Sequence, residues 1–388
     1  MVALAAALAL SRQGLSVALL GPSPAPAAST ASTASSASAS ASASASASAS
    51  ASASALASAT GDVRAYALNP ASVALLQRLK VWDALPADAR TAVYDMHVEG
   101  DAPGAAIDFS AWAQGADALA WIVDAAELES ALRTAVRFAP HVTAVTQPLP
   151  AALQLVAEGR DAATRSRLGA RMPLQRYGHC AIATRLATSQ HHGGLARQWF
   201  RSPDVLALLP LDRPRPGHGL ALVWSLPEDR AEALMALPDA AFEQALMDAT
   251  GAAAGALTLA GPRATWPLML GRADPVVGPG WALLGDAAHV VHPLAGQGLN
   301  LGLADVAVLA RVLADRETWR GLGDEKLLRR YARERAAATQ AMGEVTDGLL
   351  RLFASPAPLV RELRNRGLGL VNGLPLLKRL LTARALGA

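Results

Sequence analysis

The chain has 388 residues, of which 52% are hydrophobic and 17% charged, with a formal net charge of +3. That length is enough for two domains with a substantial core, and the near-balanced charge gives no case for nucleic-acid binding by the whole chain. A single cysteine, Cys180, excludes an internal disulfide and a cysteine metal cluster, and fits a reducing, cytoplasmic location.

Residues 1–10, MVALAAALAL, begin like a signal peptide but have no basic n-region and no A-x-A cleavage site. The run is also too short to span a bilayer. It reads as a core helix that ends at Ser11-Arg12-Gln13-Gly14, where glycine stops it. Leu15 to Leu20 then reads as a buried strand. Helix and strand together resemble the second half of a dinucleotide-binding βαβ unit, with Ala7, Leu10 and Gly14 matching the pattern G-x-G-x-x-G-x3-A-x2-L-x3-G. This alignment puts Ala3 at the third glycine and the first strand upstream of Met1, as in a truncated N-terminus. Gly21 stands where an acidic, ribose-binding residue is expected.

Residues 22–60 are a Pro/Ala lead into a long Ser-Ala alternation. Such small side chains bury too little apolar surface to offset chain entropy, so the segment is expected to be a disordered surface insert. Beyond it, Asn69 and Pro70 suit the cap and first position of a helix whose apolar stripe is Val73, Leu76 and Leu79. Arg64 sits just before, on an extended segment; taken alone it reads as a solvated surface arginine. Residues 94–112 alternate as strands of a smaller sheet, and Trp121 to Asp124 leads into a helix through Leu128 and Leu132, which Asp124 is placed to cap.

Residues 170–270 carry strand-like runs at Gly178–Leu186, Ala196–Phe200, Val205–Leu211 and Gly219–Leu226, then an amphipathic helix near Glu228–Ala249. The adjacent His191-His192 has no nearby partner set and reads as surface; no convincing metal set is present. Residues 322–388 read as helical. From Arg351 onward they carry seven basic residues (Arg351, Arg361, Arg364, Arg366, Lys378, Arg379, Arg384) against one acidic residue, Glu362. A basic amphipathic end suits a membrane surface or a partner, and equally an ordinary packed helix with a solvated face.

The most informative stretch is Trp281 to Arg311. Trp281 to Leu284 is a short buried strand, and Gly285-Asp286 places a carboxylate at its carboxyl end, where open α/β sheets bind ligands. A tight turn, Pro293-Leu294-Ala295-Gly296-Gln297-Gly298, opens a long small-and-apolar helix. Glycines there allow close approach of a planar ring, and the helix N-terminus favours negative charge on a bound group.

Gly285, Asp286, His289, His292, Pro293, Gly296, Gln297, Gly298, Asn300, Gly302 and Asp305, in that order, resemble the flavin-contacting motif of the FAD-dependent aromatic-ring hydroxylases, most closely those of ubiquinone biosynthesis. The resemblance extends to Arg64 in an R-x-x-A-L context, to Glu158, Gly159, Ala162 and Arg165 against D-G-x-x-S-x-x-R, and to Tyr331, Arg333 and Arg335 against Y-x-R-x-R. It implies an α/β fold: a Rossmann-like FAD-binding parallel sheet (1–21, 61–169 and 271–321), an inserted and mostly antiparallel substrate-domain sheet (170–270), and C-terminal helices (322–388).

It further implies FAD held by Arg64, Arg165, Gly285, Asp286, Pro293, Gly296, Gln297, Gly298 and Asn300. NAD(P)H would serve as electron donor, O₂ as oxygen source, and a polyprenylated phenol as substrate. No metal and no dedicated nucleophile are required, and the catalytic residues stay unassigned. A flavin hydroxylase of a soluble aromatic is the first alternative. The second is a non-catalytic remnant that joins a biosynthetic complex through its C-terminal helices. Under any of these readings the location expected is cytoplasmic, peripheral to the inner membrane face.

Overall fold

The computed structural model describes residues 1–21, 62–101, 104–291 and 297–354. The Ser-Ala insert, His292, Pro293, Gly296 and the basic segment beyond residue 354 lie outside the described residues.

Helix α1 (Val2–Ser11) is apolar all round and buried from Ala5 to Ser11, as befits a helix with no solvent face. Gly14, at φ +76°, reverses the chain into β1 (Val17–Leu20). β1 pairs in parallel with β7 (Val142–Val145), and its burial alternates rather than being complete. A second parallel pair joins β8 (Gln154–Val156) to β16 (Trp281–Leu283), with β15 (Val277–Gly278) antiparallel on the far edge of β16. The parallel layer is therefore in two pieces, and among the described residues no strand bridges β1 and β8.

A three-stranded antiparallel sheet of β2 (Ala65–Leu68), β6 (Ala120–Asp124) and β3 (Arg90–Val93) lies beside them. Asn69 caps α2 (Pro70–Arg78) by accepting from the Ser72 N–H at 2.9 Å, which satisfies one of the free donors of the first turn. Asp124 does the same for α4 (Ala125–Arg137), accepting from Ala126 and Glu127. A single turn of helix, α3 (Ala111–Gln114), links β5 (Ala106–Ser110) to β6.

The largest element is a nine-stranded sheet. Its strands are β9 (Leu174–Thr188), β10 (Leu195–Arg201), β11 (Asp204–Leu211), β12 (Gly219–Pro227), β13 (Leu257–Leu259), β14 (Ala264–Arg272), β17 (His289–Val290), β4 (Asp95–Glu99) and β5 (Ala106–Ser110). The smaller sheet expected at 94–112 does not stand alone. β4 docks in parallel on β10, Met96 opposite Ala196, so the sheet extends well outside residues 170–270. Alternation showed that these were strands; a pairing across about a hundred residues left no local signal.

The single helix expected at Glu228–Ala249 is two, α6 (Glu228–Ala236) and α7 (Asp239–Thr250). Pro238 forces Leu237 to an extended backbone, ψ 146°, which ends the first helix. Both helices cover one face of the sheet, where Trp224, Leu208, Leu222 and Ile182 pack with Phe242 and Leu246.

A short helix, α5 (Ala163–Arg167), follows β8. Two long helices close the fold: α8 (Gln297–Ala314) and α9 (Glu325–Ala354). They bury Leu303, Val306, Leu309, Leu327, Leu328 and Tyr331 against α1 in the main core. Among the described residues no helix is long and apolar enough to cross a membrane.

Candidate active site

The strand β16 runs out through the extended Leu284 into Gly285, whose φ of +57° starts a short 3-10 turn to Ala287. That left-handed backbone is cheap only for glycine. The turn also admits a close neighbour. A Cβ on Gly302 of α8 would stand 3.3 Å from the Gly285 Cα and 2.6 Å from a Val2 methyl. Two glycines thus let helix and turn meet backbone to backbone, with the Val2 side chain of α1 packed against both.

Asp305 holds this arrangement. Its carboxylate is fully buried; Oδ2 accepts from the Gly285 N–H at 2.9 Å and faces His289 Nε2 at 2.7 Å. Its Oδ1 accepts from Arg335 Nε at 2.6 Å, and Arg335 Nη2 donates to the Leu301 carbonyl. Burial alone would raise the Asp305 carboxyl; His289 and Arg335 outweigh it and hold it below the ordinary carboxylate range. Tyr331, one helical turn before Arg335, donates its hydroxyl to the Leu283 carbonyl at 2.8 Å. The Y-x-R-x-R pattern therefore braces the turn from behind.

Asp286 points the other way. It is open to the solvent of a cavity yet surrounded by protein, and desolvation lifts its carboxyl above the usual value against the pull of His289, Arg160 and Arg64. Gly298, in the first turn of α8, lines the same cavity. The first turn of that helix carries the positive end of its dipole beside the cavity. Gln297 opens the helix; Pro293 and Gly296 lie outside the described residues.

Three other expected cofactor residues have tasks that their sequence context did not disclose. Asn300 is buried and knits α8 to β2 and α2: Oδ1 accepts from Asn69 N–H at 3.0 Å and Ser72 Oγ at 2.7 Å, and Nδ2 donates to the Ala67 carbonyl at 2.7 Å. Arg165 is also buried, donating to the carbonyls of Ala287 at 3.3 Å and Arg160 at 2.9 Å. It fastens α5 to the turn, and it does not line the cavity. Glu158 caps α5 by accepting from Thr164 N–H and Oγ1. Arg64 does line the cavity, its guanidinium held by both oxygens of Asp62 at 2.8 and 2.6 Å. Asp124 is a helix cap whose second oxygen takes a buried bond from Arg185 at 2.9 Å.

The cavity is about 750 Å³ and continuous. At one end stand Asp286, Gly298, Arg64, Tyr66 and Gly159; at the other lies the face of the large sheet turned away from α6 and α7. The first end fits the ring portion of a flavin: two glycines, Gly159 and Gly298, the first turn of a helix, a carboxylate and a guanidinium all line it, whereas Gly285 does not line the cavity and packs on Val2. A glycine-rich strand-to-helix turn of the kind that binds a pyrophosphate is not among the described residues.

His191 and His192 are not both surface. The His192 side chain is buried and lies 3.3 Å from Asp212, while His191 is exposed. Among the described residues no group of three or more His, Cys, Asp or Glu is placed to hold a metal.

Residues 146–346 match a family described as FAD binding domain. The chain is 31% identical to the ubiquinone hydroxylase UbiL of Rhodospirillum rubrum over 348 residues, covering 84% of this chain and 80% of that protein. It is 29% identical to the 3-demethoxyubiquinol 3-hydroxylase of Escherichia coli, covering 84% and 88%. In fold it is similar to p-nitrophenol 4-monooxygenase PnpA from Pseudomonas putida, with a TM-score of 0.70 at 15% identity over 99% of this chain and 95% of that one. The chain belongs to the FAD-dependent aromatic-ring hydroxylases. FAD is the cofactor of that family and NAD(P)H its co-substrate.

Proposed function

We propose that the chain hydroxylates the ring of a phenol that bears an apolar, prenyl-type chain, as a step of ubiquinone biosynthesis. The observation that carries this reading is the continuous cavity that joins the polar edge at Asp286 and Gly298 to an apolar sheet face. Relatives named as ubiquinone hydroxylases support the substrate class.

When bound, FAD takes electrons from NAD(P)H and activates O₂ for transfer of one oxygen atom to an electron-rich ring. The chain's own residues position and enclose. Asp286 is placed to accept hydrogen bonds from ribityl or ribose hydroxyls. The first turn of α8, with Gly298, offers N–H groups to charge that develops on the ring edge. Tyr66, Leu299, Val290 and Leu268 wall the cavity and displace water from the reacting ring. The seven-to-one basic excess from Arg351 onward supports a peripheral contact with an anionic membrane face or a biosynthetic complex.

The test is purification of the full chain, with its visible spectrum and phenol-dependent NAD(P)H oxidation measured together. A bound yellow chromophore and a product heavier by one oxygen are expected. A folded, colourless protein that forms no product would sink the reading and leave the non-catalytic one. Equal turnover of prenylated and soluble phenols would favour the soluble-aromatic alternative.

A further inference from the structure

The sheet face that floors the cavity has a pattern of its own. Residues opposite one another across four strands run Ala183, Val223, Ala207, Gln198, and all four line the cavity. The next row holds Ala181, Ser225 and Val205, also lining it. Ala196, opposite Met96, extends the floor towards β5.

The opposite face of these strands carries Ile182, Leu206, Leu208 and Trp224 against the two covering helices. On the cavity side β9 carries Ala181 and Ala183, and β11 carries Ala207 between Val205 and Leu209. Alanine is depleted in strands, and each alanine in place of a larger apolar residue forgoes apolar burial. The small residues leave room. One benzene-sized guest needs a cavity on the order of 150 Å³, and the cavity here is about 750 Å³. That leaves volume beyond a flavin ring and a phenol ring together.

We propose that Ala183 and Ala207 are specificity-determining residues: their truncated side chains form the slot that takes the apolar substituent of the substrate ring. The assignment rests on the hydroxylase reading above. The two residues lie on β9 and β11, outside the small parallel sheet that leads into the turn, so enlarging either leaves the cofactor end intact.

The experiment compares Ala183→Leu and Ala207→Leu with the parent enzyme in equilibrium binding of two probes, 4-methylphenol and a phenol bearing a long prenyl chain, with hydroxylation of each followed in parallel. A leucine at either site fills the slot, so the prenylated phenol is expected to bind about tenfold more weakly or worse, with 4-methylphenol within about twofold. Ala207→Val is expected to show a smaller loss in the same direction, and it decides the matter should a leucine variant fail to fold.

Equal losses for both probes, or no loss for either, would overturn the proposal, as would a parent enzyme that binds the two probes alike. Failure of the hydroxylase reading looks different: binding still discriminates between the probes, but neither probe yields product.

Discussion

The carboxylate of Asp305 meets the imidazole of His289 at 2.7 Å, and the same oxygen accepts the N–H of Gly285. One buried group on α8 thus sets both the backbone of the turn and the ring that follows it, while its second oxygen takes Arg335. Asp305→Ala leaves the Arg335 guanidinium and the Gly285 N–H without their acceptor in a dry site, at a cost of about 3–5 kcal/mol. Urea unfolding at neutral pH checks this.

The pH dependence has a definite sign. The folded carboxyl is held low, so its contribution is present above the unfolded value near 4 and is lost as pH falls through the folded value. The stability gap between the parent chain and Asp305→Asn is therefore expected to narrow on acidification below about pH 4. A gap that widens there would refute the assignment.

Gly302→Ala inverts an ordinary rule. Alanine is better than glycine in a helix interior by about 1 kcal/mol. Here its Cβ would stand 2.6 Å from the stiff, β-branched Val2 side chain and 3.3 Å from the Gly285 backbone. Net destabilisation of about 1–2 kcal/mol is expected. Pairing it with Val2→Ala should recover most of the loss in a double-mutant cycle. Simple additivity would show that the contact is not the cause.

Asn300→Leu keeps the branching of the side chain but strands the Asn69 N–H and the Ala67 carbonyl. A loss of about 2–4 kcal/mol in thermal or urea unfolding is expected, because each buried group left unpaired costs about 1–3 kcal/mol. Ser72→Ala alone should cost less, and the two substitutions should couple, since Ser72 donates to the same Oδ1. A fully stable Asn300→Leu chain would show that the clamp contributes little.

Asp286→Asn is expected to separate stability from cofactor retention. The folded carboxyl is raised, so ionisation works against the apo fold as pH climbs past the unfolded value. Apo Asp286→Asn should melt higher than the apo parent at neutral pH, with the difference vanishing in acid. Its FAD should dissociate more readily, read from the absorbance retained after gel filtration. Unchanged retention would remove Asp286 from the cofactor's neighbourhood.

Much of the site was legible in the chain because the turn needs particular residues in order. Gly285 supplies a positive φ, Asp286 a carboxylate at a strand end, and the small residues of α8 close packing; each leaves a local mark. The tasks of Asn300, Arg165 and Asp305 left none. Asn300 answers a backbone N–H 231 positions away and Arg165 a carbonyl 122 away. A side chain that satisfies distant backbone reads in sequence like one that meets a ligand. The large sheet was legible strand by strand in β9 to β12 but not in its extent, since β4 and β5 join it through a parallel pairing with β10.

Tyr331 and Arg335 both reach back from the first half of α9 to the strand end and to Asp305. The bend at Gly285 and the first half of α9 consequently open together or not at all. Deuterium uptake at Gly285 and around residues 327–335 should rise in step with denaturant, and a version shortened before Glu325 would lose the bend's shape however intact its glycines.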